Sequence, residues 1–159
     1  MPDSNAPSHE AIAFFESRFG VAGDWLAGIA FVARRDEIWA CRSAPPAGLD
    51  FDRPSGLRAL RRQGAGLKPT STFLAALGDR ITASRIDLDR ESLRQLLLGQ
   101  RLTWPSDLAD GPVALCFRGD VLGCGRLGHG RLQALIPTGR RRELLAALDV
   151  DPHSRIGNL

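Results

Sequence analysis

The residues of this chain that could do covalent or metal chemistry are few, and they are far apart in sequence. Nucleophilic catalysis requires a serine, cysteine or threonine beside a positioned base. The sequence contains neither a Gly-x-Ser-x-Gly motif nor a histidine close to a plausible nucleophile. Its thiols and imidazoles form no Cys-x-x-Cys pair and have no zinc-ligand spacing; they are Cys41, Cys116, Cys124, His9, His129 and His153. The sequence therefore predicts no catalytic residue and no metal site, and it favours burial of Cys116 and Cys124 over reactivity.

Paired carboxylates and one glycine motif also have structural explanations. The pairs fall in a predicted hairpin turn, a polar loop, and a strand end with the following helix cap: Asp36 and Glu37, Asp50 and Asp52, Asp87 and Asp89. Residues 123–128 (GCGRLG) fit the dinucleotide pattern Gly-x-Gly-x-x-Gly, but that motif must open a helix, and the β-type run RLQALIP follows instead. We therefore expect no cofactor and no enzyme activity, and we interpret these glycines as a strand bend or a close backbone approach.

Positive charge is the chemical feature that the sequence concentrates. The whole chain has a formal net charge of +3, whereas residues 111–142 alone hold six arginines and one aspartate, a net charge of +5. A genome rich in G and C explains the preference for arginine over lysine but not its clustering. Such a patch favours a polyanionic partner.

The elements that must position these side chains begin with a helix and a hairpin. Apolar residues at helical spacing between 11 and 19 predict a helix capped by Ser8 and ended by Gly20. The runs 28–34 and 37–42, separated by two polar residues, predict a β-hairpin. The basic segment RALRRQGAGLKP that follows is expected to be a strand or an irregular connection, because its glycines disfavour a long helix.

The second half of the chain changes from helices to glycine-rich strands. Short helices are predicted after Thr70 or Ser71 and after Asp89, with a strand between them. Gly119–Asp120 suits a type II′ turn, which would place Leu115 opposite Cys124 and point Cys116 to the other face. Arg140 to Leu148 is expected to form a closing helix.

These elements predict an α+β protein in which a small mixed β-sheet packs with an N-terminal α/β part. The predicted divisions are a disordered segment 1–7, an N-terminal part 8–100, a β-hairpin part with its closing helix 101–148, and a tail 149–159. No apolar run reaches the ~18 residues that a membrane span needs, and the first residues do not resemble a signal peptide. We therefore expect a cytoplasmic protein with no membrane partner.

Four segments, taken in order, are similar to the C-terminal region of bacterial RsmF-type ribosomal-RNA cytosine methyltransferases, a PUA-like RNA-binding domain. The last of them resembles the terminal hairpin of that region, with a strand, a tight turn, a glycine pair and a final Pro-x-x-x-Arg. The four are FFESRFGV (14–21), LRALRRQGAGLKPTSTFLAAL (57–77), LLLGQRL (96–102) and GPVALCFRGDVLGCGRLGHGRLQALIPTGRR (111–141). The resemblance implies a PUA-like pseudo-barrel in the C-terminal part.

The resemblance also implies binding of structured RNA, ribosomal or transfer, through a β-surface and a neighbouring helix or loop. Arginine suits the shape and phosphate contacts by which such RNA is recognised. The candidate RNA-binding residues are therefore Arg61, Arg62, Lys68, Arg126, Arg131, Arg140, Arg141 and Arg142. Arg141 takes the place of the family's final arginine. We expect the group from Arg126 to Arg142 to share one face. For Trp39 and Trp104 the alternatives are stacking on RNA bases and burial, and we favour burial.

This sequence departs from the family in two ways. The methyltransferase domain, with its cofactor site and cysteine motifs, is absent from it, so we expect the chain to be non-catalytic. Gln133, Ala134 and Leu135 stand where the family often has a lysine–asparagine pair and an aromatic residue, so any RNA contact of that lysine is missing here.

Two classes of function follow from these observations. The favoured one is a non-catalytic RNA-binding protein in RNA modification or ribosome biogenesis. The alternative is a protein-interaction or accessory subunit of a separately encoded RNA methyltransferase. A third hypothesis is that this sequence is a fragment, and that the methyltransferase domain is encoded upstream of it.

Overall fold

The computed structural model describes residues 5–42 and 56–150 of the chain. The helices are α1 (Ala6–Phe19), α2 (Gly23–Leu26), α3 (Ser71–Leu77), α4 (Arg90–Leu97) and α5 (Thr138–Val150). The strands are β1 (Ala30–Arg34), β2 (Glu37–Cys41), β3 (Leu57–Gln63), β4 (Gly66–Pro69), β5 (Arg85–Asp87), β6 (Leu102–Thr103), β7 (Gly111–Phe117), β8 (Asp120–Gly128) and β9 (Arg131–Ala134). They form two sheets, β1-β2-β3-β4 and β5-β7-β8-β9-β6.

The first sheet is antiparallel and consists of two hairpins. Arg34 pairs with Glu37 across the first turn, which confirms the predicted hairpin. The basic segment after residue 56 forms the second hairpin, β3–β4, in which Gln63 pairs with Gly66. Of the two expectations for that segment, the strand is confirmed.

Helix starts follow the predicted caps in two of three cases. Thr70 accepts a hydrogen bond from the amide of Phe73, and Asp89 accepts one from the amide of Ser92, so both predicted caps are confirmed. Ser8 is not a cap, because α1 begins at Ala6. Pro7 lies in the first turn of α1, where its missing N–H costs nothing.

The predicted ends of the chain lie partly outside the described residues. Residues 1–4 and 151–159 cannot be compared with the predicted disordered segment and tail. Residues 6 and 7 belong to α1, and residues 149 and 150 belong to α5, so both helices extend beyond the predicted boundaries.

The second sheet is mixed, which confirms the predicted α+β class with a mixed sheet. β5 pairs in parallel with β7, whereas β7, β8, β9 and β6 pair antiparallel in that order. The glycine-rich segment 123–128 lies within β8, as the sequence predicted. No helix of the described chain is long and apolar enough to cross a membrane.

The predicted turn between β7 and β8 is wrong by one residue. Phe117 pairs with Asp120, so the turn residues are Arg118 and Gly119. Their φ values of 50° and 86° fit a type I′ turn, which requires positive φ at both central positions.

A bulge between Leu115 and Cys116 then changes the register again. Leu115 lies opposite Gly123, and Cys124 lies opposite Ala114. Cys116 and Cys124 therefore belong to the same hydrophobic cluster, not to opposite faces as predicted.

The β7–β8 hairpin is buried on both faces by two hydrophobic clusters. The first cluster joins the first sheet, α1 and α3 to one face of the hairpin through Ala114, Cys116 and Cys124. The second joins α4 and α5 to the other face, which includes Val113 and Leu115. Because α4 and β5 contribute to the second cluster, they pack with the C-terminal elements, although the predicted division at residue 100 assigns them to the N-terminal part.

Glycines in β8 let α3 approach the sheet. A Cβ atom on Gly123 would lie 2.8 Å from Ser71 Oγ and 2.8 Å from Ile136 Cγ1. The hydroxyl of Ser71 accepts a hydrogen bond of 2.9 Å from the amide of Cys124. The interpretation as a close approach is therefore confirmed for Gly123, and also for Gly125, whose Cβ would lie 2.7 Å from Leu115 Cδ2.

We predict that Gly123→Ala destabilises the protein by about 1–3 kcal/mol, because the new methyl group must displace Ser71 or Ile136. Gly128→Ala is the matched control on the same strand, since nothing lies within 4 Å of its Cβ position. Urea unfolding of both variants measures the difference. Equal free energies of unfolding would show that α3 can move away from β8 at little cost.

Candidate nucleic-acid interface

Two of the predicted RNA-binding residues meet at a groove between the two sheets. Lys68 lies on β4, an outer strand of the first sheet, and Arg126 lies on β8 of the second. The groove has a volume of about 300 Å³. Its lining residues are Gln63, Gly66, Leu67, Lys68, Gly111, Pro112, Arg126 and Leu135.

The alternation of β8 explains why Arg126 points to this groove. Cys124 faces the first hydrophobic cluster and Leu127 faces the second. Arg126 continues the row of Cys124 beyond the point where the core ends, and it is exposed. Its strand neighbours are Pro112 and Gln133.

Arg131 lies on the same face of the sheet as Arg126. It opens β9, where it pairs with Gly128, while Gln133 pairs with Arg126. Diagonal neighbours on an antiparallel pair are about 7–8 Å apart at the backbone. The two guanidinium groups can therefore contact neighbouring parts of one ligand.

The charges of Lys68, Arg126 and Arg131 are not neutralised by carboxylates of the described chain. The ammonium group of Lys68 is close enough to Cys124 to oppose the effect of burial on the pKa of that thiol. Lys68 and Arg126 therefore both contribute positive charge to the groove that they line.

Three other predicted residues form ion pairs within the protein. Arg61 contacts Glu37 at 3.4 Å, and Arg140 contacts Glu143 at 3.0 Å. Both terminal nitrogens of Arg62 donate to the carboxylate of Glu10, at 2.5 and 2.6 Å. This bidentate contact raises the pKa of Arg62, chiefly through the hydrogen bonds.

The arginines at the start of α5 lie on the other side of the second sheet. α5 packs through Leu144 and Leu148 in the second cluster, whereas Arg126 extends from the face of the first. Arg141 donates to Thr138 Oγ1 at 3.1 Å and lies beside Gly99. The expectation that all arginines from 126 to 142 share one face is therefore wrong, because the sheet separates them.

Arg142 is the remaining member of this second group. It is exposed on α5, and no carboxylate in residues 5–42 or 56–150 forms a salt bridge with it. The eight predicted residues thus divide into three sets. The groove set is Lys68, Arg126 and the neighbouring Arg131; the ion-paired set is Arg61, Arg62 and Arg140; the α5 set is Arg141 and Arg142.

Arg18 fixes the start of β7 beside the groove. Its Nε donates to the carbonyl of Pro112 at 2.7 Å, and Nη2 donates to the carbonyl of Ala109 at 2.9 Å. Burial lowers the pKa of Arg18, and the nearby charge of Asp110 opposes that shift. Sequence reasoning missed this residue, since its partners are more than 90 residues away.

The cysteines do not form a nucleophilic site. Burial raises the pKa of Cys116 to about 11 and that of Cys124 to about 12. All three cysteines are buried as free thiols, which confirms the expected burial of Cys116 and Cys124. Within the part of the chain that the structure describes, no three His, Cys, Asp or Glu side chains are grouped to hold a metal ion.

Comparison with known proteins identifies one region of this chain. Residues 83–142 match the family model described as "Methyltransferase RsmF PUA domain". The chain is also similar to the ribosomal RNA small subunit methyltransferase F of Aeromonas salmonicida (strain A449), at 29% identity over 144 residues. That similarity covers 86% of this chain but only 29% of the relative's length.

These matches confirm the predicted resemblance and the PUA-like fold of the C-terminal part. The matched segment begins between Ile81 and Ile86, where membership of the two hydrophobic clusters also changes. The family model describes the PUA domain and not the catalytic methyltransferase domain.

We predict that Cys116 and Cys124 of the native protein do not react with a disulfide reagent at pH 8, because their raised pKa values leave almost no thiolate. Both thiols should react at once in denaturant. The thiolate that the reagent releases on reaction, measured with and without urea, gives the number of reactive cysteines in the folded and the unfolded protein. Rapid modification of either residue in the folded protein would contradict their burial.

Proposed function

We propose that this protein binds structured RNA, ribosomal or transfer, without catalysing a reaction, and acts in RNA modification or ribosome biogenesis in the cytoplasm. The observation that supports this most directly is the groove that Lys68 and Arg126 line together. Two cations that form no salt bridge with a carboxylate of residues 5–42 or 56–150, beside one groove, make a site for an anion. The match to the PUA domain of a methyltransferase favours RNA as the source of that anion.

The groove suits the phosphodiester backbone of RNA better than its bases. Lys68 supplies a compact charge, and Arg126 supplies a planar fork that can hold two phosphate oxygens. Gly66 and Gly111, which carry no side chain, also line the groove. In our proposal the backbone of one strand enters the groove, and Arg131 binds the next phosphate along it.

The other predicted residues have outer roles in this proposal. Arg61, Arg62 and Arg140 already form ion pairs with carboxylates of the protein. Because a phosphate contact would replace such an ion pair, it would add little to the affinity for RNA. Arg141 and Arg142 lie beyond the sheet and can reach only RNA that passes around its edge. We propose that these five residues attract structured RNA at long range, and that the groove set holds its backbone.

The absence of catalysis is also part of the proposal. The thiols are buried with raised pKa values, and Glu37 and Asp89 are occupied in an ion pair and a helix cap. Asp50 and Asp52 lie outside the described residues. Glu37 and Asp89, for which the sequence predicted structural roles, thus have partners within the fold.

We predict that the protein binds a stable RNA hairpin with an affinity that falls steeply with salt, because each phosphate contact releases counterions. Lys68→Gln, Arg126→Gln and Arg131→Gln should each weaken binding and each reduce the slope of log K against log salt by about 1. Fluorescence anisotropy at several salt concentrations measures both quantities.

Arg94→Gln is the matched control for these three variants. Arg94 is exposed but pairs with Asp149 at 2.7 Å, and it lies on α4, away from the groove. Arg94→Gln should leave the slope of log K against log salt unchanged. Binding that does not depend on salt, or equal effects of all four variants, would refute the groove as the phosphate site.

An accessory role towards an RNA methyltransferase is the second candidate function. It is favoured by the relative's name, since a protein called a ribosomal RNA methyltransferase contains a region similar to this chain. The groove set would then bind RNA for a catalytic unit that another polypeptide supplies.

We predict for this second candidate that tagged protein recovers a methyltransferase from cell extract even after nuclease treatment. The triple variant Arg126→Glu, Arg131→Glu and Arg141→Glu should lose RNA and keep the protein partner. Recovery that disappears with nuclease would instead mean that RNA alone connects the two proteins.

A further inference from the structure

The outer face of the first sheet carries a tryptophan among cations. Trp39 on β2 is half-buried and lies directly opposite Arg58 on β3. The helices that pack on this sheet, α1 and α3, share the first hydrophobic cluster with residues of its other face, such as Phe31 and Ile38. The expectation that Trp39 is buried is therefore only partly met.

One carboxylate holds this group of side chains in place. Glu37 Oε2 accepts the indole N–H of Trp39 at 3.2 Å, and Glu37 Oε1 accepts Arg58 Nη1 at 2.8 Å and Arg61 Nη2 at 3.4 Å. These hydrogen bonds lower the pKa of Glu37, the bond from Arg58 having the largest effect. The ring of Trp39 and both guanidinium groups are thus fixed beside one another.

The two arginines remain accessible despite this contact. Their side chains are 43% and 50% exposed, against 20% for the carboxylate of Glu37. A cation fixed by a partly covered carboxylate still presents N–H groups to solvent. Lys68, which pairs with Arg61 across β3 and β4, adds a third cation to this face.

This face is continuous with the groove through Lys68. Arg61 pairs with Lys68 across β3 and β4, so their side chains lie on the same face of the first sheet. Lys68 also lines the groove opposite Arg126. Positive charge therefore runs from the groove, over β4, to the neighbourhood of Trp39.

We propose that this outer face, defined by Trp39, Arg58 and Arg61, binds a single-stranded RNA segment by stacking one base on Trp39. The proposal rests on the proposed function, since the segment continues from the strand held in the groove. An aromatic ring with flanking cations on a β-surface is the usual arrangement for unpaired bases. A duplex keeps its bases stacked inside, so it cannot use the ring.

The test uses the full chain and two labelled RNAs. One is a hairpin of about twelve base pairs, and the other is the same hairpin with about eight unpaired nucleotides at one end. We expect the extension to increase the affinity of the wild-type protein. Trp39→Leu should abolish most of that gain, a loss of about 5- to 100-fold for the extended RNA, with hairpin affinity unchanged.

Trp25→Leu is the matched control for the tryptophan variant. Trp25 is also half-buried, but the guanidinium of Arg80 already covers its ring at 4.0 Å from the ring centre. Its replacement should leave the gain from the extension intact. Trp39→Phe, which keeps an aromatic ring, should retain part of the gain.

The outcomes distinguish this proposal from the proposed function. Hairpin binding with no gain from the extension, or a gain that Trp39→Leu retains, overturns the stacking surface alone. Failure to bind either RNA overturns both proposals. If Trp39→Leu does not fold, ultraviolet crosslinking of the wild-type complex decides: crosslinks from the extension to the peptide containing Trp39 support the surface, and their absence refutes it.

Discussion

The contact on which the rest of the structure depends is the approach of α3 to β8. The hydroxyl of Ser71 accepts a hydrogen bond from the amide of Cys124. It also donates to the carbonyl of Leu135, with 3.5 Å between the two oxygens. Leaving a buried amide without a partner costs about 1–3 kcal/mol. The glycine at position 123 is what allows the helix to come this close. One side chain of the first half therefore binds both β8 and the residue that follows β9.

This contact also determines where the groove lies. β4 leads directly into α3 through Thr70, so fixing Ser71 beside Cys124 fixes β4 as well. Arg126 is two residues further along β8 and points to the same side as Cys124. Lys68 and Arg126 therefore meet because both are a short distance from one anchored helix terminus. The two cations of the groove are therefore brought together by the packing of α3 on β8.

Much of the fold was accessible from the sequence because its signals are local. Caps such as Thr70 and Asp89 and the glycine stretch of β8 act through nearest neighbours in the chain. The β7–β8 register was missed for two reasons. The turn lies at Arg118–Gly119, one residue earlier than predicted, and the bulge between Leu115 and Cys116 then shifts the pairing again. The α5 arginines were grouped with Arg126 because sequence distance could not show that a buried sheet lies between them.

The candidate site was predicted less completely than the fold. Net charge predicted a polyanionic partner, but it could not separate arginines that form ion pairs within the protein from those that do not. Arg62 and its partner Glu10 are 52 residues apart, and only the packing of α1 beside β3 brings them together. The same limit hid Arg18, which acts through backbone carbonyls and leaves no pattern of charge to detect.

The burial of the β7–β8 hairpin on both faces makes the two halves inseparable. The family model matches residues 83–142, yet one face of the central hairpin of this segment is covered by α1, α3 and the first sheet. Cut free, it would expose a row of small apolar side chains and an amide that Ser71 now satisfies. The segment that the family model matches is thus smaller than the packed unit to which it belongs, because the N-terminal part covers one face of its central hairpin.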